Sequence, residues 1–391
     1  MNKIPIAIYL QHYLAPSMTF IYRQIKSAEK KYDPLVICSD RVENLDKFPY
    51  EKLFLKRRNF IHVKKSRYYN KLFGNHTLLS TNPHISVGQS KYFSEILNKY
   101  DVKLIHAHFG PSGLEIVDLA REHKIPLLVT FHGYDASILL TMKKYIDNIK
   151  KVFDYAHLVA VSENMKRDLV KFGADEERVS VVRCGIPADR FKYVERIPLS
   201  DKFSNNELIT FLQVSNFVEV KGHEYTIRAF NEFQREYSNA RLILAGDGVT
   251  KASIKKLCTK LGIILKVDFP GVVDENTVIK LMNNADVFVH HSVTLKNGVK
   301  EGLPTVIMEA MATGLPCIST IHSGIPELIR DGINGFLVEE RDVESYVQKM
   351  IELVSAPSNF SYEARITVES DFNLYLQNEN LIEIYNSLLN S

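Results

Sequence analysis

The sequence predicts an α/β protein of two similar halves, each a parallel sheet covered by helices on both faces. Three observations lead there. Short apolar runs of strand length recur in the first half, at residues 4–10, 34–38, 103–106, 127–131 and 158–161. Stretches with helical periodicity separate them, and such alternation marks strand–helix–strand units. A polar, turn-rich segment at 190–206 then interrupts the pattern, which restarts with runs at 208–214, 241–245, 266–269, 287–290, 317–320 and 335–338.

Taken in order, the first run leads through a loop at 12–19 into a helix over 20–30. Loops at 108–113 and 132–137 also follow strands, and in open parallel sheets ligands lie at the carboxyl ends of strands. Residues 51–76 break the alternation. Lys52, Lys56, Arg57, Arg58, Lys64, Lys65, Arg67 and Lys71 are interleaved there with Phe54, Phe60, Tyr68, Tyr69 and Phe73, and Glu51 is the only acid. A basic, aromatic-rich helical stretch of this kind fits an anionic membrane surface, where each nearby cation contributes about 1 kcal/mol. The plainer alternative is a solvated helix face with its aromatics in the core. The expected plan is a first domain over 1–190, a linker over 191–206, a second domain over 207–372 and a helical tail over 373–391.

Bulk properties exclude several classes. The chain has 391 residues, 45% hydrophobic and 24% charged, as expected of a two-domain globular protein. A net charge of +3 is too small to imply nucleic acid. The start, MNKIPIAIYLQHY, turns polar after a strand-length run, and no apolar run approaches the ~20 residues of a membrane span. The expected location is the cytoplasm, free or on the inner face of the cell membrane. Cys38, Cys184, Cys258 and Cys317 are dispersed without metal-ligand spacing and read as buried small residues.

The most informative stretch is 300–314, KEGLPTVIMEAMATG. Pro304 suits a helix start, and Gly314 before Leu315-Pro316 suits its end. The helix between is apolar almost all round, which predicts burial, and Glu309 sits inside it without a polar face. A buried carboxylate costs several kcal/mol unless something bonds it. Glu301 precedes the helix, where free amides and the positive dipole end favour an anion. Two readings of these acids are even on spacing alone. One is a sugar-nucleotide site; the other is dipole complementation at Glu301 with Glu309 paired to an Arg or Lys.

Glu301 and Glu309, separated by seven residues within EGLP…EAMATGLP, resemble the E-x7-E signature of the family 4 glycosyltransferases. The resemblance implies a retaining, nucleotide-sugar-dependent enzyme of the GT-B fold, two Rossmann-like domains facing a central cleft with a C-terminal helix crossing back to the first. By it, Glu309 would hold the ribose hydroxyls and Glu301 the transferred sugar, beside Gly302, Leu303, Pro304 and Thr305. Lys221, after the strand ending near Ser215, matches a diphosphate-gripping lysine, but Asn216 stands where an arginine is expected. One charged hydrogen bond to phosphate is worth about 1.5–3 kcal/mol, so weakened catalysis is one consequence and a substitute cation, such as Arg183 or Arg23, another. Gly246 and Gly248 would line the donor, although on their own they read better as a tight turn. Gly271 and Val272 resemble the loop that meets the base.

In the first half, the resemblance makes His132, in TFHGYDAS, catalytic beside the transferred sugar. Asp135 reads as an acceptor contact or as a helix cap. His106 and His108 lie two apart on a strand and make a poor metal site without a third ligand, so no metal is expected, and His108 is assigned to the acceptor. LAPSMTF resembles the S-x-T-F loop of exopolysaccharide transferases, which puts Pro16 and Ser17 at the acceptor. The implied function is sugar transfer from a nucleotide sugar, commonly a UDP-sugar and a co-substrate rather than a cofactor, to a lipid-linked or oligosaccharide acceptor of a surface polysaccharide. The competing functions are a sugar-nucleotide epimerase of the same fold and a sugar-binding or assembly subunit with weakened activity.

Overall fold

The computed structural model describes residues 3–15, 18–57, 83–355 and 360–390. They divide into two compact units, one of residues 1–184 with 375–391, the other of residues 185–374. The first unit holds strands β1 (Ile4–His12), β2 (Tyr32–Arg41), β3 (Leu53–Leu55), β4 (Leu104–His108), β5 (Leu127–Phe131), β6 (His157–Ala160) and β7 (Val179–Val181). They form one sheet in the order β3-β2-β1-β4-β5-β6-β7, parallel throughout. Strands β4 and β5 are buried at every position, which is why they read as unbroken apolar runs rather than as alternation.

The second unit holds β8 (Ile209–Val214), β9 (Ala240–Ala245), β10 (Val267–Gly271), β11 (Val287–His290), β12 (Cys317–Thr320) and β13 (Gly335–Val338), all parallel in the order β10-β9-β8-β11-β12-β13. Two apolar clusters cover its faces. Ile227, Phe230 and Phe233 of helix His223–Glu236 share one with Met350 and Leu353 of helix Val343–Ser355. Met308 and Met311 of helix Thr305–Ala312 share the other with Ala364 and Val368 of helix Phe360–Asp371. The strand order reverses between β1 and β4 in one unit and between β8 and β11 in the other. Each reversal opens a crevice at the carboxyl edge of its sheet.

Every run expected to be a strand is one. The strands β3 and β7 were not expected, because three residues give no alternation to read. The helical expectation for 51–76 fails at its start: Leu53–Leu55 pairs in parallel with β2. The acid that the segment lacks comes from β2, where Asp33 Oδ2 accepts from Lys52 Nζ at 2.7 Å. Residues 58–71, the rest of the basic stretch, lie outside the described residues.

The segment 191–206 is no linker. The chain enters the second unit at Gly185, and Phe191 is buried in its core. Arg196 explains why a polar sequence packs there. Its guanidinium donates to the carbonyls of Met282 (3.0 Å), Asn283 (3.3 Å) and Ala285 (2.8 Å) at the end of helix Glu275–Asn284. It also reaches the carbonyls of Thr313 (3.4 Å) and Gly314 (3.3 Å) after helix Thr305–Ala312. One cation therefore satisfies the orphan carbonyls, and faces the negative ends, of two helices. The final helix, Leu374–Asn390, places Leu381, Ile382 and Tyr385 in the core of the first unit. Replacing Arg196 by Ala should destabilise the second unit by about 1.5–3 kcal/mol, the worth of hydrogen bonds to a charged donor, read as a lower denaturant midpoint with unchanged slope.

Candidate functional site

At the carboxyl edge of the second sheet the loops are stitched in steps. Ser215 N–H donates to the Ala245 carbonyl (3.0 Å), Phe217 N–H to that of Asp247 (2.9 Å) and Gly246 N–H to that of Gly271 (2.8 Å). Gly246 is required here: its φ is 138°, and a Cβ would lie 2.0 Å from the Ser215 carbonyl oxygen. Gly248 sits in the same turn, Asn216 is exposed, and Val272 is 80% exposed beyond Gly271. Ser215 is half-buried and bonds His223 Nε2 at 3.1 Å. Lys251 adds a cation that the sequence reading missed, donating to the Gly246 carbonyl (3.3 Å) and Asp247 (3.2 Å). Its signal was available as the first residue of the helix after the glycine turn.

Lys221 closes the single turn Glu219–Lys221, and Gly222 (φ 57°) caps the following helix with its α-carbon against the His291 carbonyl. The Lys221 ammonium pairs with the Glu301 carboxylate, the two side chains 19% and 12% exposed. Ser292 Oγ donates to the same carboxylate. So does His290 Nε2, at 3.2 Å, and because a carboxylate only accepts, the His290 proton is on that nitrogen. Burial alone would raise the Glu301 pKa. The Lys221 charge and the His290 hydrogen bond outweigh it and hold the carboxyl well below the usual range. Glu301 is therefore an anion with two neutral donors and one cation around it.

The helix after Glu301 starts one residue later than expected, with Pro304 as its N-cap and Thr305–Ala312 as its body. Its first turn carries no acid, so its amides and dipole present a positive end. The expected all-round burial is corrected on one side: Thr305, Val306 and Glu309 are half-buried, and one helical turn puts 305 and 309 on the same face. Glu309 is thus at an accessible edge of the core; Gly302 is also half-buried, and Leu303 is 9% exposed.

In the first unit, His108 and His132 lie at the ends of β4 and β5. His108 Nδ1 and His132 Nε2 are 3.1 Å apart and share one hydrogen bond. Phe109, with φ 74°, and Phe20 place their rings 4.6 and 4.9 Å from the His132 ring. His106 is held elsewhere, with Nδ1 on Tyr385 Oη and Nε2 on Thr130 Oγ1, both at 2.7 Å. Burial pushes the His108 pKa down to about 3 and lowers that of His132, helped there by His108. Both rings are neutral at physiological pH. Among the described residues no group of three His, Cys, Asp or Glu could hold a metal ion.

Two of the residues expected at the acceptor have hydrogen-bond partners within the first unit. Asp135 is fully buried, and its carboxylate accepts the amides of Gly110 (2.8 Å), His132 (3.0 Å) and Gly133 (3.0 Å). It shapes the loop that carries His132. His108, also fully buried, supports the His132 ring. Pro16 and Ser17 lie outside the described residues.

Two parallel-sheet units of this architecture define an α/β protein of the GT-B fold. Residues 21–190 match the family described as Glycosyltransferase Family 4, and residues 199–367 match Glycosyl transferases group 1. The chain belongs to glycosyltransferase family 4. It is 29% identical to the putative colanic acid biosynthesis glycosyltransferase WcaL of Escherichia coli K12, over 75% of this chain and 73% of that one. It is 28% identical to the amylovoran biosynthesis glycosyltransferase AmsK of Erwinia amylovora, over 74% of this chain and 70% of that one. Its fold matches the crystal structure of Anabaena HepE in complex with UDP, with a TM-score of 0.74 at 17% identity, covering 98% of this chain and all of that one.

The neutral histidines make the first unit acid-sensitive. Unfolded, each takes up a proton below about pH 6.5; folded, His108 does so only near 3. The unfolded state therefore binds more protons in that window, and stability falls by about 1.4 kcal/mol per pH unit per such histidine as pH drops. His108→Gln should flatten the dependence by that amount in denaturant titrations at pH 7, 6 and 5.

Proposed function

We propose that this glycosyltransferase moves a sugar from a nucleoside-diphosphate sugar, a UDP-sugar first among them, to a lipid-linked or oligosaccharide acceptor in surface-polysaccharide assembly, with retention. The observation that carries the reading is the Lys221–Glu301 pair in front of an acid-free helix start, in the crevice between β8 and β11. Breaking the sugar–phosphate bond builds negative charge on the leaving diphosphate. A cation and preorganised amides at that place stabilise the charge without reorganisation. Lys221 takes the diphosphate together with Thr305 and the loop of Gly302, Leu303 and Pro304. Glu309, accessible one turn into the helix, takes the ribose hydroxyls. Gly271 and Val272 face the base, with Ser215, Asn216, Gly246 and Gly248 around the phosphates.

Glu301 is assigned to the transferred sugar, and His132, neutral and hydrogen-bonded, to the same sugar. Lys251 supplies the second cation that Asn216 does not. No metal is required by this scheme. That WcaL and AmsK carry the names of polysaccharide-assembly enzymes supports the acceptor class, as the UDP in the HepE complex supports the donor. No helix among the described residues is long and apolar enough to cross a membrane, so a lipid-linked acceptor would be met at the surface, with basic residues of 52–71 other than the paired Lys52 as the contact.

Calorimetric titration with UDP and with GDP tests the donor site. UDP should bind at micromolar strength, and Lys221→Ala should weaken it about ten- to a hundredfold, the loss of one charged hydrogen bond. Glu309→Ala should weaken it likewise, and transfer of labelled sugar to a lipid-linked acceptor should follow the same order. No binding of either nucleotide to the wild-type chain would refute the reading.

A further inference from the structure

Outside the residues assigned above, the carboxyl edge of β11, β12 and β13 carries a second, part-buried polar network. The Glu301 backbone N–H donates to His322 Nε2 at 3.2 Å. An acceptor at Nε2 puts the ring proton on Nδ1, which donates to Glu340 Oε1 at 2.7 Å. The same carboxylate accepts Thr294 Oγ1 on Oε1 and Thr294 N–H on Oε2, both at 2.7 Å. His322 is 1% exposed. The Glu340 carboxyl is itself tied down: the next amide, Arg341 N–H, donates to His291 Nε2 at 2.9 Å, and Arg341 Nη1 bonds Glu340 Oε2 at 3.0 Å.

Thr294 and Glu301 are the two ends of one loop, whose middle is a turn held by Leu295 N–H on the Val299 carbonyl (2.8 Å), Gly298 N–H on the Leu295 carbonyl (2.9 Å) and Val299 N–H on Asn297 Oδ1 (3.2 Å). One carboxylate, directly at Thr294 and through an imidazole at Glu301, fixes both ends. We infer that His322 and Glu340 are positioning residues for sugar transfer, clamping the 294–301 loop so that the Glu301 carboxylate meets Lys221 and the donor in a fixed place. The inference rests on the donor-site reading for its functional half only. The clamp accounts for features that core packing does not require. Glu340 is drawn away from water by four hydrogen bonds, and its pKa is lowered despite burial by the bonds from His322 and Thr294. An apolar pair would fill the same space without desolvation cost.

The experiment is amide hydrogen exchange on the full-length chain, comparing wild type with Glu340→Gln and Thr294→Val. Glutamine keeps the volume but cannot accept from His322 and Thr294 at both oxygens; valine removes only the Thr294 hydroxyl. The expected result is exchange across 293–303 at least about tenfold faster in Glu340→Gln, with exchange in β8 and β9 unchanged. Thr294→Val should show a smaller rise in the same segment. The donor KM should rise with the acceptor KM unchanged, a split that general loosening of the unit would not give. Unchanged exchange across 293–303 overturns the inference. So does an equal rise throughout the second unit in both variants. If the wild-type chain binds no nucleotide, the donor reading fails, while the exchange comparison still decides whether the clamp exists.

Discussion

The buried ion pair between Lys221 and Glu301 is the constraint on which the second unit's functional edge depends. Both side chains are more than four-fifths shielded from water, so neither charge is tolerable alone. Removing one partner of such a pair costs about 3–5 kcal/mol, because the other is left buried and uncompensated. The pair joins the loop after β8 to the loop after β11, across the place where strand order reverses. Ser292 and His290 complete the shell around the carboxylate, and the Glu301 amide passes the same fixation to the loops after β12 and β13. On the proposed function, a donor phosphate at Lys221 would meet an ammonium already held in place and a helix end whose first turn carries no acid. Preorganisation of that kind is what electrostatic catalysis requires.

The first unit solves a different problem with neutral groups. Its crevice brings His132 to the end of β5 and orients it by a single bond to His108, with Phe20 and Phe109 against the ring. Asp135, the nearest carboxylate in sequence, is taken up by three backbone amides. His132 therefore keeps a neutral imidazole between aromatic rings.

The sheets were legible because parallel strands buried on both faces leave continuous apolar runs, and every such run is a strand. β3 and β7 are three-residue edge strands and leave none. The segment 191–206 looked like a linker because its polar residues are visible in the sequence and their acceptors are not; Arg196 faces carbonyls contributed by residues 86 to 118 positions away. Glu301, Glu309 and Lys221 stood out as candidates through a local motif and a strand-to-helix turn. The partners of His108 and Asp135 were not legible, for a general reason. A polar residue at a strand end looks the same in sequence whether it faces a ligand or a backbone amide. His322 and Glu340 each sit at a strand end too, and only the fold shows that they meet.

The most direct measurement of the account is a double-mutant cycle on unfolding free energy, using Lys221→Met, Glu301→Gln and the double variant. The ion pair as described predicts that each single change is costly and that the double is much less costly than their sum. The coupling should be on the order of 1–3 kcal/mol, the range for contacting residues in one network. Additivity within about 0.5 kcal/mol, the behaviour of independent sites, would contradict it.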